Sequence, residues 1–489
     1  MKLEALIKEI QPATVTGTTN GEVLGVVCDS RHVRPGYVFV AIAGWNQDGW
    51  SFVNEAIERG AIAVVSEHEE KLRNQKPEVC FIRVEDSRQS MGEMACIFNN
   101  RPSNQLQLIG ITGTNGKTTT SYMIRDILRA DGRNPGLIST VAYEIGARVI
   151  PAERTTPESP LLQSILAQMV HAGCDSAVME VSSHALVQKR TTGIDYDVGI
   201  FTNLTRDHLD YHGTMEKYFE AKALLFRELG KCEKNAVAVI NVDDPWGRQL
   251  SQMNDMHADV LTYSLLDPQA MIRAEDVELT ASGSAFRVLT PWGDAKIQTK
   301  LLGRFNISNA LAAIASCGAL GINLDVIASV LSKIVCVPGR LEEIETRKGF
   351  QVFVDYAHTD DALEHVLTTL REITNKRLIV VFGCGGNRDK TKRPAMGSVA
   401  ARLADYSILT TDNPRKEDPS EIIAQIRGGF DSADNFEIVE DRTEAIKRSL
   451  AMADRGDVVL IAGKGHENFQ EFANTTIPFD DRQVVRALL

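Results

Sequence analysis

Short apolar runs bounded by turn residues open the chain, and longer alternations of strand-like and helix-like pattern follow. In residues 1–100 the β-like runs are Val23–Cys28, Tyr37–Ala41, Ala61–Val65 and Val79–Val84, with one clear helical stretch at Phe52–Arg59. The polar, turn-forming Arg101-Pro102-Ser103-Asn104 segment reads as a linker. From 105 to 337, strand candidates Leu106–Thr112, Gly136–Thr140, Ser176–Val181, Val198–Asn203 and Ala236–Asn241 are separated by helical patterns. Apolar runs joined by helices predict a mostly parallel sheet covered on both faces. A β-rich excursion follows near 258–300, then an apolar helix at Asn306–Leu320, then a Val337-Pro338-Gly339-Arg340 turn. Residues 338–489 repeat the α/β pattern, with strands Gln351–Asp355, Leu378–Phe382, Tyr406–Thr411 and Val458–Ala462. Neither a solenoid repeat nor a low-complexity tract is visible. The pattern predicts an α/β chain of three domains, 1–100, 101–337 and 338–489.

Chemistry enters at residues 106–119, Leu-Gln-Leu-Ile-Gly-Ile-Thr-Gly-Thr-Asn-Gly-Lys-Thr-Thr, with Thr120 following. An apolar strand runs into a glycine-rich turn, and Ser121–Arg129 then reads as a helix. Glycines admit backbone amides close to phosphate oxygens, and a helix N-terminus adds its positive end. Lys117 is placed for the outer phosphates and the Thr118 hydroxyl for Mg²⁺. The common phosphate loop, Gly-x-x-x-x-Gly-Lys-Ser/Thr, needs glycine at 111. Here 111 is Ile, and the glycines fall at 110, 113 and 116.

Composition narrows the partners. Apolar content is 43%, charged content 24%, net charge −12 and the pI about 5.4, so no basic block marks a nucleic-acid partner. A polyanionic substrate must be met by local lysines, arginines, helix ends and Mg²⁺. Met1–Ile10 is amphipathic rather than a signal sequence, and no apolar run approaches the roughly 20 residues of a membrane span. The cysteines at 28, 80, 96, 174, 232, 317, 336 and 384 are scattered without a Cys-x-x-Cys pair. They read as reduced thiols in a cytoplasmic protein.

In the third part every predicted strand ends in a polar loop: Asp355-Tyr356-Ala357-His358, Gly383–Lys390, Asp412-Asn413-Pro414-Arg415 and Gly463-Lys464-Gly465-His466-Glu467. Ligands bind outside the carboxyl ends of parallel strands. The four loops should therefore crowd one edge carrying Arg388, Arg415, Lys464, Asp355, Asp412 and Glu467, a charge mixture suited to an amino acid.

From Cys28-Asp29-Ser30-Arg31 through the Gly-Thr-Asn-Gly-Lys-Thr loop to Gly463–Glu467, the chain resembles the Mur ligases, and within them the diaminopimelate-adding members. The resemblance implies an N-terminal UDP-sugar domain, a central P-loop ATPase domain with a mostly parallel sheet, and a C-terminal Rossmann-like amino-acid domain. It implies an ATP- and Mg²⁺-dependent amide ligase of peptidoglycan precursor synthesis. Such an enzyme adds meso-2,6-diaminopimelate to UDP-N-acetylmuramoyl-L-alanyl-D-glutamate through an acyl phosphate. A cytoplasmic monomer is expected, closing its domains around the substrates.

By the same resemblance, Cys28, Ser30, Trp45, Asn46 and Gln47 match uridine-nucleotide positions. Arg154, Thr155, Thr156, Ser182, Gln188 and Arg190 match the muramoyl-dipeptide end, where relatives often carry Asn in place of Arg154. Thr114, Asn115, Gly116, Lys117, Thr118, Thr119 and Thr120 match the ATP loop. Asn306, Asn309, Arg340, Asp355 and His358 match adenosine-side contacts, although Asn306 is equally read as a helix cap. Glu180 matches a Mg²⁺-binding glutamate, with the Thr118 hydroxyl also placed for Mg²⁺, and His208 matches a ligand of a second Mg²⁺. Lys222 matches a lysine carbamylated to N6-carboxylysine that also holds Mg²⁺; by sequence alone it is a solvated helix lysine. Arg388, Asp412, Asn413, Pro414, Arg415, Gly463 and Glu467 match diaminopimelate contacts. An arginine fork at 415 suits the second carboxylate of that substrate, which lysine lacks.

Other readings stay open. A lysine-adding relative is disfavoured by Arg415, and a folylpolyglutamate synthase by the N-terminal domain. A P-loop kinase or nucleotide switch is disfavoured by the glycine spacing. A non-catalytic nucleotide-binding protein is disfavoured by the intact Lys117, Thr118, Glu180 and Lys222. Spacing alone also allows zinc at His208 and His212, without a further ligand to complete the set.

Overall fold

Apolar runs without polar alternation belong in strands buried on both faces. The computed structural model, which describes residues 1–44, 47–68, 78–232, 234–431 and 435–489, puts them there. Val237–Asn241, Val198–Phe201, Gln107–Thr112, Ser176–Glu180 and Pro135–Ile138 lie side by side in parallel, nearly every residue buried. They are the middle of an eleven-stranded sheet. The excursion near 258–300 continues that sheet: Asp259–Ser264 and Ile272–Thr280 add in parallel, then Gly283–Thr290 and Gly293–Thr299 antiparallel. At the opposite edge Ala142–Ile145 and Arg148–Pro151 add as an antiparallel hairpin that the sequence pattern did not reveal. Helices Lys117–Ala130, Arg304–Ala319 and Leu324–Leu331 pack one face around Ile124, Ile127, Ile307 and Leu311. Ser159–His171 and Met215–Glu228 cover the other around Leu162, Leu166, Phe219 and Phe226.

The N-terminal sheet has five strands in the order Thr14–Thr16, Cys80–Arg83, Ala63–Ser66, Tyr37–Val40, Gly25–Val27, with only the first pair antiparallel. The helix Ser87–Phe98 is absent from the sequence pattern because Gly92 interrupts it. The reason for that glycine is tertiary: a Cβ at 92 would lie 2.5 Å from the Thr192 Cβ, so only glycine lets this helix press on the central domain. The Lys189–Asp86 ion pair (2.8 Å) lies on the same seam. The expected linker forms a short helical turn, Pro102–Gln105. Lys234 pins it, its ammonium donating to the carbonyls of Ser103 (2.9 Å) and Leu106 (2.8 Å).

The C-terminal sheet runs Glu342–Ile344, Gln351–Asp355, Val458–Ala462, Leu378–Phe382, Tyr406–Leu409, Phe436–Ile438, all parallel except the first. Val458–Ala462 inserts between two strands from early in the domain, so the Gly463–Glu467 loop emerges between theirs. Helices Asp360–Ile373 and Lys392–Leu403 cover one face, and Arg442–Met452 and Asp481–Leu488 the other. Among the described residues no helix is long and apolar enough to cross a membrane.

Candidate active site

The helix after the glycine loop begins at Lys117, earlier than the expected Ser121, because Gly116 in the left-handed region turns the chain directly into it. The amides of its first turn therefore lack intrahelical acceptors and form an anion cradle. Gly113, at φ +147°, presses against Thr202, whose hydroxyl an added Cβ would strike. The end of the neighbouring strand holds the loop: the Thr114 and Asn115 amides donate to the Asn203 carbonyl (2.9 Å) and Oδ1 (2.8 Å). Lys117 Nζ donates to the carbonyls of Gly113 (2.9 Å) and Thr114 (2.8 Å). Lys222 is not the solvated lysine its sequence suggests. It is buried, donates to the same Gly113 carbonyl at 2.8 Å, and stands 4.5 Å over the Tyr218 ring. Burial lowers both lysine pKa values, and the charge of Lys117 helps drive Lys222 well below the ordinary value.

Glu180, at the carboxyl end of its strand, is fully buried. Its Oε1 accepts from the Thr118 hydroxyl (2.9 Å) and the Thr140 amide (2.9 Å), and its Oε2 from the Thr140 hydroxyl (3.0 Å). Thr140 also meets the Thr155 hydroxyl at 3.1 Å, while the Thr156 hydroxyl donates to the Glu180 carbonyl (2.9 Å) and accepts from the Ser182 amide (3.0 Å). The expected dipeptide-end residues thus adjoin the loop through Thr140, a residue the sequence did not single out. Arg190 donates to the Thr156 carbonyl (2.9 Å) and Gln188 (2.6 Å) and pairs with Glu158 (2.9 Å); Arg154 pairs with the same Glu158 (2.8 Å).

His208 sits in a ring cluster, edge-on to His184 (4.8 Å) and Tyr218 (6.1 Å), with Asp207 at 3.4 Å. Burial pushes its pKa down to about 3, against the pull of Asp207. His212, the second residue of the spacing that allowed zinc, has its Nε2 hydrogen-bonded to the Ser183 hydroxyl at 3.0 Å. Among the described residues no group of three or more His, Cys, Asp and Glu side chains is arranged for a metal. One hydroxyl and one carboxylate at Thr118 and Glu180 suit Mg²⁺, which keeps positions for phosphate oxygens and water.

Between the N-terminal and central domains lies a cleft of about 1180 Å³. Cys28, Ser30, Gln47 and Arg88 line it on one side, and Tyr143, Arg154 and Glu158 on the other. Ser30 donates to Glu55 (2.8 Å), and burial pushes the Cys28 thiol up to about 11. Trp45 and Asn46 lie outside the described residues.

Across the central and C-terminal domains, Arg340 Nη2 donates to the Thr118 hydroxyl (3.0 Å) with its guanidinium 4.5 Å over the Tyr356 ring. Asn115 donates to Asp361 (2.8 Å). Asp355 is committed to backbone, accepting from the Leu341 (2.6 Å) and Ala357 (2.7 Å) amides, so it fixes the Arg340 turn. His358 Nδ1 is bonded to the Tyr356 carbonyl (2.8 Å). Asn306 is not a cap: Gly303 takes that position, and Asn306 donates to the Leu302 carbonyl (2.8 Å) while its Oδ1 accepts from Asn309 (3.2 Å).

The four polar loops do meet at one edge. The Gly463 amide donates to the Asp355 carbonyl (3.0 Å) and the Gly386 amide to the Asn413 carbonyl (2.9 Å). Lys464, fully buried, donates to Asn413 Oδ1 and Glu467 Oε2 at 3.0 Å each, and Asn413 Nδ2 donates to Glu467 at 2.9 Å. Gly463 lies close against Asp412, whose Oδ2 would be 2.7 Å from an added Cβ. Arg388 is exposed and bonded to the Asn387 carbonyl (3.1 Å). The Arg415 fork is less free than its sequence suggests. Its Nε is held by Glu471 (2.7 Å) and its Nη1 by the Gly386 carbonyl (2.9 Å), which leaves Nη2 for a ligand.

A phosphate cradle joined to a zwitterion-suited sheet edge on another domain defines a nucleotide-dependent three-domain ligase architecture. Comparison with known proteins agrees. Family models match at 22–99 (Mur ligase family, catalytic domain), 111–317 (Mur ligase middle domain) and 339–465 (Mur ligase, glutamate ligase domain). The chain is 45% identical over 491 residues to the UDP-N-acetylmuramoyl-L-alanyl-D-glutamate–2,6-diaminopimelate ligase of Geobacillus thermodenitrificans, covering 100% of this chain and 99% of that protein. It is 46% identical, with the same coverage, to the ligase of that name from Geobacillus kaustophilus. A solved structure with the same name superposes with TM-score 0.70 at 36% identity, covering 99% of this chain and 98% of the other. The folylpolyglutamate synthase of Mycobacterium tuberculosis shares the fold over 76% of this chain and 91% of its own (TM-score 0.62, 20% identity). The chain belongs to the Mur ligase family.

Proposed function

We propose that this chain is an ATP-dependent ligase joining meso-2,6-diaminopimelate to the D-glutamyl carboxylate of UDP-N-acetylmuramoyl-L-alanyl-D-glutamate. The observation that carries the reading is the end-to-end identity of 45% with ligases of that name. The crowded edge of Arg388, Asn413, Arg415 and Glu467 supports the choice of amino acid, since Arg415 Nη2 offers a donor to a second carboxylate and Glu467 an acceptor to an ammonium. We assign residues 1–100 to the UDP-sugar, 101–337 to ATP and 338–489 to the amino acid. One chain supplies all three parts, and we propose that it acts as a monomer.

In this reading the first-turn amides and Lys117 hold the β- and γ-phosphates, and Arg340 lies over the nucleotide from the C-terminal domain. Thr155, Thr156, Ser182, Gln188 and Arg190 orient the D-glutamyl end beside Glu180. The substrate carboxylate attacks the γ-phosphorus and ADP leaves; the diaminopimelate amine then attacks the acyl phosphate, a tetrahedral intermediate forms, and phosphate departs. Mg²⁺, held by Thr118, Glu180, His208 and a carboxylated Lys222, would neutralise the two anions that meet in the first step. The depressed pKa of Lys222 supports carboxylation, because only a neutral amine adds carbon dioxide.

The test is phosphate release with ATP, Mg²⁺ and the UDP-dipeptide, comparing meso-diaminopimelate with L-lysine. Turnover with diaminopimelate and a product one diaminopimelate residue heavier is expected. A preference for lysine would overturn the substrate assignment, and turnover with neither would overturn the ligase.

A further inference from the structure

Arg388 and Arg415 stand on different loops, and nothing in either loop alone sets their separation. A single carboxylate, that of Glu417, ties the two loops together. Glu417 Oε2 accepts from Arg393 Nη1 (3.0 Å) and Lys390 Nζ (3.0 Å), and its Oε1 from Arg393 Nη2 (3.1 Å) and the Asn387 amide. Arg393 is fully buried, and its Nη2 also donates to the Gly385 carbonyl (3.1 Å). The loop of Arg388 is thus tied at Gly385, Asn387 and Lys390 to a residue two positions beyond Arg415.

The two loops then touch directly. The Arg415 guanidinium takes its register from the Gly386 carbonyl at 2.9 Å, and the Lys416 amide donates to Asn387 Oδ1 at 3.0 Å. A Cβ at Gly386 would run into the Pro414 carbonyl, so the contact is close enough to demand glycine. A shift of the 383–390 loop therefore carries the Arg415 guanidinium with it. Loss of the negative charge at 417 would leave Arg393 a buried cation without its carboxylate, and such a cation relocates or destabilises its surroundings.

We propose that Glu417, acting through Arg393 and the Asn387 amide, is a positioning residue that sets the spacing of Arg388 and Arg415 and thereby the selection of diaminopimelate over lysine. The proposal rests on the substrate reading above. Selectivity is a difference between two affinities, and only the substrate with a second amino-acid head uses both arginines.

Glu417→Gln keeps the shape and removes the charge. The KM for meso-diaminopimelate should rise roughly tenfold or more, as expected when a recognition group is misplaced by a fraction of an ångström to an ångström. The KM values for ATP and the UDP-dipeptide should hold, kcat at saturating diaminopimelate should fall less than kcat/KM, and the diaminopimelate-to-lysine ratio should drop. Glu417→Asp, which keeps the charge, should recover part of the loss. Should Glu417→Gln fail to fold, Gly386→Ala carries the test, with the same pattern expected. An unchanged diaminopimelate KM, or an equal rise in all three KM values, overturns the role of Glu417. Wild-type protein without diaminopimelate-dependent turnover overturns the substrate reading instead.

Discussion

The C-terminal helix should hold the amino-acid edge together through one buried charge pair, and removing it should be costly. Arg442 and Asp481 are both fully buried; Nε and Nη2 of the guanidinium meet the two carboxylate oxygens at 2.8 Å each. Nη2 also donates to the Ala462 carbonyl at 2.9 Å, one residue before Gly463. Asp481→Ala leaves a buried guanidinium with that carbonyl and an Nη1 that already lacks a partner. Truncating one member of a buried pair costs about 3–5 kcal/mol. Asp481 is also in the first turn of its helix, where losing an acid costs about 0.3–1 kcal/mol, but Asp480 keeps its capping bonds to the Arg482 (2.9 Å) and Gln483 (3.4 Å) amides. The pair therefore accounts for most of the loss. Tryptophan fluorescence would miss it, since the four tryptophans lie at 45, 50, 246 and 292. Hydrogen–deuterium exchange over Val458–Ala462 and Asp481–Leu488 reads the local opening energy directly. Arg442→Met combined with Asp481→Ala should be no less stable than Asp481→Ala alone, because no charge is then stranded. Additive losses, or a single-variant cost under about 1 kcal/mol as for an exposed pair, would refute the reasoning.

Three further outcomes follow from the site. Gly113→Ala forces a methyl onto the Thr202 hydroxyl at a φ that costs about 1–3 kcal/mol for other residues, so ATP affinity by calorimetry should fall at least about tenfold; unchanged affinity would contradict the cradle. Lys222→Arg keeps a cation but forms no carbamate: turnover should drop by about 10²–10³ while ATP still binds, and a labelled-carbon-dioxide NMR signal seen in the wild type should vanish. Full activity in that variant would exclude the carboxylated lysine. The Arg393 guanidinium holds Glu417 at about 2, below the 4.5 of an ordinary glutamate. A folded value below the unfolded one means the stabilisation is complete above about pH 4.5 and is lost as pH falls toward about 2. An acid protease should therefore cut the 383–390 loop at about pH 3 and spare it at about pH 5 in the wild type, with little such difference in Glu417→Gln; equal cutting of the wild type at both values would deny the link.

Much of this architecture was legible locally. Strand, glycine turn and Lys117 stand within one short stretch, and their chemistry depends on neighbours in sequence, so the phosphate loop could be read before any fold was known. The four loops of the C-terminal domain were legible for a similar reason: parallel strands joined by helices send all their carboxyl ends to one edge. The burial of Lys222 was not, since nothing in its helix distinguishes a lysine facing solvent from one facing Gly113. Tyr218 beside it, one helical turn earlier, was a signal that went unused.

By itself, the sequence determined the α/β class, the anion cradle and the family, because hydrophobic period, turn chemistry and short motifs are properties of adjacent residues. Tertiary structure alone decided the partners of the buried charges. Thr118 meets Glu180 across 62 positions, Arg442 meets Asp481 across 39, and Arg393 meets Glu417 across 24. A charge in low-dielectric surroundings must find its counter-charge wherever the packing brings one, and that choice is made by strand order and helix placement rather than by spacing along the chain.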